Sequence, residues 1–553
     1  MNYENKTLVD GKLFYSIIAA GVNNLIKNVK TVNELNVFPI PDGDTGDNML
    51  HTLSGGFEKM RGIENDNVGV SARALADGML LNARGNSGVI LSQLFAGLAK
   101  GLEGLENATV KQLASAFNEG VKTAYLSVIT PVEGTILTVA RESFDKGEQS
   151  LKKDSDISFY FNSVLSEMRV SLENTPNLLA VLKEAGVIDS GGAGLFYIVD
   201  GMKRALSGEE IEADASSGKP AVKNIDFSLF DEDTEMTFGY CTEFLLRLQN
   251  KKTDVAAFDE KVIIDYLSTI GDSIVCFKTG SIVKAHVHTF EPYKALEFCR
   301  KFGEFLTIKI ENMTLQHNET IGSEIAVTKP VKERKKFGVV TVATGAGIIE
   351  MFKEFGADVV IDGGQGNNPS AEDFIKAFDE TNADDIFVLP NNGNIILTAK
   401  QAGKMYDGSK IHVIETKNIG DCYSALSMLD YSCDNAEIIA DNMKKDAETV
   451  TTGMITRAIR NAKLNGVDIH DGDYIGFTDK TMFASCPEPS DTFVTLCEKL
   501  GIKEKSFLIV LFGAAAKEED KEKVRSYAES LGNVEFYAIE GGQEVYDYIV
   551  IVE

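Results

Sequence analysis

The chain has 553 residues, of which 44% are hydrophobic and 25% charged, values typical of a folded protein of three or four domains of about 150 residues each. Its 55 lysine and arginine residues stand against 83 aspartate and glutamate residues, so the formal net charge is −28. This charge repels nucleic-acid phosphates and anionic membranes, which excludes a general nucleic-acid-binding protein, and we expect no nucleic-acid partner.

The amino-terminal segment has no basic stretch followed by a long apolar run, and no stretch approaches about 18 apolar residues. We therefore expect neither a secretory signal nor an integral membrane segment. The seven cysteines are an odd number without a disulfide framework, which is consistent with a reducing compartment. Together these features predict a cytoplasmic protein.

The first region, residues 1–205, has helical periodicity. Apolar side chains recur every three or four residues, as at Phe14, Ile18, Val22, Leu25 and Val29. Glycine-rich segments that would weaken a helix interior separate the helices, so we interpret them as loops. The polar residues 206–224 lack periodicity and predict a linker.

The remainder predicts two further domains, so the fold class is multidomain: an all-α region, a small α+β domain at residues 225–328 and an α/β region at residues 337–553. A basic stretch, residues 329–336, is the second expected linker. The apolar runs that predict a parallel sheet in the last region are residues 339–343, 359–361, 386–389 and 411–414. Two strand–helix–strand segments in it both end in Gly-Gly-Gln, which suggests an internal repeat or a chance similarity.

The segment from Asn36 to Met49, Asn-Val-Phe-Pro-Ile-Pro-Asp-Gly-Asp-Thr-Gly-Asp-Asn-Met, concentrates three carboxylates on a loop bent by glycine and proline. Mg²⁺ prefers oxygen ligands and is held in many sites by one or two carboxylates together with substrate phosphates. Asp42 and Asp44 are therefore candidate metal ligands. The alternative is an ordinary Asp-Gly turn with solvated carboxylates.

Three more loops combine small residues with a following helix: residues 82–89, 130–135 and 189–194. Backbone N–H groups at a helix N-terminus attract phosphate, although any one of these loops alone fits an ordinary capped turn better. No GxxxxGK[ST], GxSxG or HExxH motif occurs, which excludes a P-loop enzyme and those routes to a serine hydrolase or zinc protease. Phosphoryl transfer needs positioning and charge neutralisation, which such loops can supply.

The segment quoted above, together with Ala-Arg-Gly-Asn-Ser-Gly-Val-Ile-Leu-Ser-Gln at residues 83–93, resembles the catalytic subunit of bacterial fatty acid kinase. The amino-terminal domain of that family is similar to the nucleotide-binding subunit of dihydroxyacetone kinase, an all-α helical barrel. The resemblance extends over nearly the whole chain.

The resemblance implies that Asp42 and Asp44 are catalytic residues that hold two Mg²⁺ ions on ATP, with Asn36 near a third ligand position. The nucleotide pocket that it implies consists of Thr45, Gly46, Asn48, Gly85, Asn86, Ser87, Gly88, Asp189, Gly191 and Gly192. Asp47 stands where we expect a threonine in these kinases, and its role stays open.

In the resembling family the acceptor is a fatty acid carboxylate held by a separate fatty-acid-binding carrier protein, and the product is an acyl phosphate. The implied activity is ATP-dependent phosphorylation of such a carboxylate, with the α/β region binding the partner and with a homodimer expected. Two rivals stay open: a kinase for dihydroxyacetone or another small ketone or polyol, and a nucleotide-binding scaffold without chemistry.

Cys241 and the pair His286 and His288 provide one thiolate and two imidazoles in the middle domain. This donor set suits Zn²⁺, and two histidines two residues apart on a strand share a face. The alternative is a strand histidine pair with an unrelated cysteine. The related kinases carry a matching Cys and His-x-His, which favours zinc in a structural or catalytic role.

Overall fold

The computed structural model describes residues 3, 5–36, 43–63, 65–128, 130–209, 240–255, 257–279, 281–312, 334–479 and 481–553. The chain forms two compact units. Residues 1–218 together with 333–553 form the first, and residues 219–332 form the second.

The amino-terminal region of the first unit is helical, which confirms the all-α prediction. Its helices are α1 (Gly11–Glu34), α2 (Thr45–Arg61), α3 (Val68–Leu81), α4 (Gly85–Gly101), α5 (Val110–Ser127), α6 (Ile136–Ser150), α7 (Ile157–Leu178), α8 (Ala180–Ala185) and α9 (Ser190–Leu206). Two short strands, β1 (Leu8–Val9) and β2 (Ala108–Thr109), pair antiparallel. The apolar stripe of each amphipathic helix packs into one hydrophobic core formed by residues between Val9 and Leu206.

The α/β region begins with a four-stranded parallel sheet in the order β10-β9-β7-β8. Its strands are β7 (Lys335–Ala343), β8 (Val359–Asp362), β9 (Ala383–Leu389) and β10 (Lys410–Val413), and its helices are α12 (Ala346–Glu354), α13 (Ala371–Thr381), α14 (Ile396–Met405), α15 (Ile419–Ser427) and α16 (Ala436–Ala447). Val339 and Val340 belong to cores on opposite faces of β7. Both faces are covered, which explains the uninterrupted apolar runs.

A second, six-stranded sheet has the order β15-β14-β11-β18-β16-β17. Its strands are β11 (Thr451–Arg457), β14 (Tyr474–Phe477), β15 (Met482–Cys486), β16 (Phe507–Phe512), β17 (Glu535–Glu540) and β18 (Tyr548–Val552), accompanied by α17 (Pro489–Lys499) and α18 (Glu518–Ser530). A small hairpin, β12 (Ala462–Leu464) with β13 (Val467–Ile469), precedes β14. In this sheet the pair β16–β17 is parallel and the other pairs are antiparallel.

The second unit contains an antiparallel sheet in the order β4-β5-β3-β6. Its elements are β3 (Tyr240–Leu248), α10 (Lys261–Leu267), β4 (Gly271–Thr279), β5 (Ile282–Thr289), α11 (Pro292–Cys299) and β6 (Gly303–Asn312). This is the α+β arrangement expected for the middle of the chain. Residues 210–239 and 313–333, which include most of both predicted linkers, lie outside the described residues.

Both segments proposed as a repeat form parallel strand–helix–strand units, β7–α12–β8 and β16–α18–β17. Lys335 and Lys336, expected in the second linker, belong to β7 because they extend its pairing with β9. Within the described part of the chain, no helix combines the length and apolar character needed to cross a bilayer.

Candidate active site

Loops from three distant parts of the sequence meet where α2, α4 and α9 begin. The Ser190 hydroxyl at the start of α9 donates to Thr45 Oγ1 at the start of α2, with 3.3 Å between the oxygens. The first turn of α4 presses against α2 so closely that a Cβ on Gly88 would lie 2.4 Å from Thr52 Oγ1. The structure therefore brings together three of the motifs that the sequence singled out.

The N-termini of α2 and α4 differ from most of their neighbours. Neither Asp44, which precedes α2, nor Arg84, which precedes α4, caps its helix with a side-chain hydrogen bond. Side chains cap the other described helices of this region except the short α8, and these caps are Asp10, Asn67, Thr109, Thr135, Asp156 and Asp189. The first N–H groups of a helix have no partner within it and attract anions. Two neighbouring helix starts are thus suited to phosphate.

Gly85 lets α4 begin where it does. Its φ of +59° lies in the left-handed region, which favours glycine, and a Cβ would lie 2.7 Å from Asn48 Nδ2. A larger residue would strain the backbone and push Asn48 away from the site.

Asn33 of α1 holds the first turn of α2. Its Oδ1 accepts from the Gly46 N–H at 2.7 Å, and its Nδ2 donates to Asp47 Oδ2 at 2.7 Å. The Gly46 N–H group therefore already has a hydrogen-bond partner within the protein. Compared with the neighbouring residues of the predicted nucleotide pocket, Gly46 is the least suited to bind phosphate. Asp47 pairs with Asn33 in this exposed turn, and its charge is favourable near a helix N-terminus.

The structure describes only some of the candidate Mg²⁺ ligands. Asn36 follows α1, and its carbonyl oxygen accepts a hydrogen bond from the Arg460 guanidinium. Asp42 lies outside the described residues. No group of three or more histidine, cysteine, aspartate or glutamate side chains suited to a metal occurs among the residues that were described. The predicted Mg²⁺ ligands therefore stay predictions.

Asp189 has a structural task. Its Oδ2 accepts from the Gly192 N–H at 2.7 Å and so caps α9. The residue as a whole is half-buried, but its carboxyl group is removed from water, and this burial raises the pKa of Asp189 to about 6. The backbone hydrogen bonds from Gly192 and Ile136 act in the opposite direction and lower the pKa. Any contact of this loop with nucleotide would have to leave that cap in place.

We expect the free energy of unfolding of Asp189→Asn, relative to that of the wild type, to increase as the pH rises from 5 to 7. The raised pKa means that the folded protein binds a proton that the unfolded chain releases, so the wild type loses stability as the pH rises through about 6. Asparagine caps without titrating, and the difference over this interval should be about 1 kcal/mol. Chemical unfolding at several pH values measures it, with Asp156→Asn at the N-cap of α7 as the control. A difference independent of pH would contradict the assignment.

Residues of the α/β region that the sequence analysis missed also reach this site. Asn368 Nδ2 donates to Asp44 Oδ2 at 2.7 Å, and the Arg84 guanidinium donates to the Asn368 carbonyl at 3.2 Å. Asn86 Nδ2 donates to Asn394 Oδ1 at 3.4 Å. One signal was available: residues 363–369, Gly-Gly-Gln-Gly-Asn-Asn-Pro, follow a predicted parallel strand, and ligands bind at the carboxyl ends of such strands.

A separate open groove of about 1180 Å³ runs along another face of α4. Val70, Val89 and Leu397 contribute apolar surface to it, and Lys100 and Lys404 contribute charge. None of the candidate Mg²⁺ or phosphate residues lines it, so its size does not identify it as the nucleotide site.

The candidate zinc residues lie in the second unit. In the antiparallel pair β3–β5, Cys241 is the register partner of His288, and Glu243 is the partner of His286. The backbone thus places Cys241 beside one histidine of the pair. The side chains of these three candidate ligands are outside the described part of the structure.

Comparison with known proteins gives the family. Three family models match: a DAK2 domain at residues 39–204, the middle domain of FakA-like fatty acid kinase proteins at residues 237–320, and the C-terminal domain of the same proteins at residues 338–553. A solved structure of DegV, a fatty acid binding protein from Bacillus subtilis, is similar with a TM-score of 0.30 and 13% identity, over 39% of this chain and 99% of that one. That similarity is too weak to support an inference.

Full-length relatives agree with the family models. Protein YloV of Bacillus subtilis is 38% identical over 558 residues, which cover 99% of each chain. An uncharacterized protein of Staphylococcus aureus (strain bovine RF122 / ET3-1) is 38% identical over 555 residues, again 99% of each. The chain belongs to the FakA-like fatty acid kinase family, a kinase family with a DAK2 domain in its amino-terminal region.

Proposed function

We propose that this protein phosphorylates the carboxylate of a fatty acid with ATP, while a separate fatty-acid-binding protein holds the acid, to give an acyl phosphate. One observation carries the proposal: the start of α4, which has no side-chain cap, lies against α2 at Asn48, one turn after Asp44, in a chain of a kinase family. The family description names one subunit of a fatty acid kinase, which supports both the acceptor and the need for a second protein.

The donor set fits Mg²⁺. The Asp44 carboxylate lies beside the amides of Asn48 and Asn368, and Asn368 Oδ1 is buried without a hydrogen-bond partner among the described residues. Such hard oxygen atoms are the ligands that Mg²⁺ prefers. Asp44 with Asp42 and Asn36 would hold the ions, two as we predict, and bound Mg²⁺ supplies neutralisation of the phosphate charge.

The helix starts would bind the ATP phosphates. The N–H groups of Gly85, Asn86 and Ser87 lie in the uncapped first turn of α4, and the dipole of the helix adds positive potential there. Thr45 offers a hydroxyl at the start of α2. These groups orient the terminal phosphate, which is the main demand of phosphoryl transfer.

The acceptor chemistry agrees with this set of residues. A carboxylic acid is ionised at neutral pH, so it attacks phosphorus without a protein base. The hydroxyl group of dihydroxyacetone or of a polyol would require proton removal. Among the described residues, the Asp47 carboxylate already pairs with Asn33 and the Asp44 carboxylate accepts from Asn368, and such engaged carboxylates favour a carboxylate acceptor over a hydroxyl.

The decisive experiment measures ADP formation by the full chain with Mg²⁺ and ATP. We expect turnover with a fatty acid loaded on its carrier, and little with free fatty acid or dihydroxyacetone, because the polar loops offer no shelter for an acyl chain. Turnover on dihydroxyacetone without a carrier would favour the small-ketone kinase. Tight ATP binding with no acceptor among those tested would favour the scaffold.

We also propose one Zn²⁺ per chain at Cys241, His286 and His288. The register partnership of Cys241 with His288 supports it, since thiolate and imidazole together select zinc. We expect near one equivalent in protein purified without chelator, and its loss in Cys241→Ser and in the double variant His286→Ala/His288→Ala. Elemental analysis measures this, with Cys276→Ser on β4 as the control; absence of zinc from the wild type contradicts the site.

The expected homodimer and cytoplasmic location stay predictions. Light scattering of the full chain after size-exclusion chromatography measures the first. A mass of one chain, 60.2 kDa, over the micromolar range would contradict a homodimer.

A further inference from the structure

Two asparagine-rich loops leave the carboxyl edge of the parallel sheet. Residues 363–370 follow β8, and residues 390–395 follow β9. In open α/β sheets this edge is where ligands bind. Here the same edge contacts the helical region, through Asn368 at Asp44 and Asn394 at Asn86. The α/β region therefore packs directly against the candidate Mg²⁺-binding and phosphate-binding loops.

Asn368 is the deepest of these contacts, with 2% of its surface exposed. Its Nδ2 donates to Asp44 Oδ2 at 2.7 Å and lies 3.4 Å from Asn48 Oδ1, while its carbonyl accepts from Arg84 at 3.2 Å. A Cβ on Gly85 would lie 3.3 Å from the same Nδ2. Asn368 thus contacts both Asp44, a candidate Mg²⁺ ligand, and the start of α4.

The other end of the Asn368 amide is unsatisfied. Its Oδ1 is buried and has no hydrogen-bond partner among the described residues. Buried polar atoms are nearly always paired, so an orphan oxygen needs an explanation. Since Oδ1 and Nδ2 belong to one amide, this oxygen lies in the same cluster as the Asp44 carboxylate. An amide oxygen is a hard ligand and a good acceptor for metal-bound water.

We propose that Asn368 is part of the ATP–Mg²⁺ site, supplied by the α/β region as a positioning residue. Its amide nitrogen fixes the Asp44 carboxylate, and its amide oxygen serves the ion or the water molecules that the ion retains. The inference rests on the proposed function and deepens it, because the site is then complete only with the α/β region in place. Metal binding and the docking of this region are coupled, each favouring the other.

The test uses Asn368→Ala and Asn368→Asp in the full chain, with the exposed neighbour Asn367→Ala as the matched control. Isothermal titration with ATP at several MgCl₂ concentrations and in EDTA requires no turnover. We expect Asn368→Ala to raise the Mg²⁺ concentration needed for half-maximal ATP binding by about tenfold, because removing a residue that hydrogen-bonds to a metal ligand weakens metal binding by at least that factor. ATP binding in EDTA should stay unchanged. Asn367→Ala should match the wild type.

Asn368→Asp adds a carboxylate beside Asp44, so like charges repel unless a cation lies between them. We expect a lower melting temperature in EDTA than the wild type and a larger rise on adding MgCl₂ alone. This variant also decides the matter if Asn368→Ala fails to fold.

An equal loss of stability with and without Mg²⁺, or wild-type Mg²⁺ dependence in Asn368→Ala, would overturn the assignment and leave a merely structural contact. If the wild type itself binds no ATP with Mg²⁺, the proposed function fails instead. The two failures are therefore distinguishable.

Discussion

Asp44→Asn should reduce carrier-dependent phosphotransfer by about a hundredfold or more while the fold stays intact. The change removes one anionic oxygen from the candidate metal ligand, and Mg²⁺ depends on carboxylate charge. Asparagine keeps an oxygen that can accept from Asn368 Nδ2, so the contact between the two regions survives. Initial rates of ADP formation at saturating ATP measure the effect, and circular dichroism checks the fold.

Asp47→Asn is the matched control for this experiment. It makes the same chemical change three residues along the chain, at a carboxylate that pairs with Asn33. We expect its turnover to stay within a few fold of the wild type, since a single exposed polar contact contributes about 1 kcal/mol or less. Normal turnover in a folded Asp44→Asn protein, or equal losses in both variants, would remove Asp44 from the metal site.

A chain ending at Leu206 should fold and bind ATP but lose carrier-dependent turnover entirely. Its hydrophobic core is complete, because the core residues of the helical region all lie between Val9 and Leu206. It keeps Asp42, Asp44 and the start of α4 but lacks Asn368. We expect ATP affinity with Mg²⁺ within about tenfold of the full chain, the size of the missing Asn368 contribution.

The lost turnover follows from the role proposed for the α/β region in binding the carrier. Isothermal titration and the ADP assay on the truncated and full chains measure both effects. Equal turnover on carrier-bound fatty acid by the truncated chain would contradict the docking role. Failure of a folded truncated chain to bind ATP would instead show that the site is misplaced.

Much of the fold could be predicted because its signals are local. The spacing of Phe14, Ile18 and Leu25 identified the buried face of α1, and the apolar run at residues 339–343 identified β7. The second sheet was different. Its apolar strands resemble those of the parallel sheet in sequence, but their direction depends on which partners they pair with: β18 runs antiparallel to both β11 and β16, whereas β16 and β17 are parallel.

The candidate site likewise combines local features, which the sequence predicts, with long-range contacts, which it does not. By itself the sequence determined that carboxylates and glycines cluster just before and at the start of α2 and that small residues cluster at the start of α4, because turns depend on residues a few positions apart. The tertiary structure alone decided that Asn368, 324 residues from Asp44, bonds to its carboxylate, and that Arg460 reaches the carbonyl of Asn36. Such contacts are set by how whole layers pack, and no local spacing in the chain encodes them.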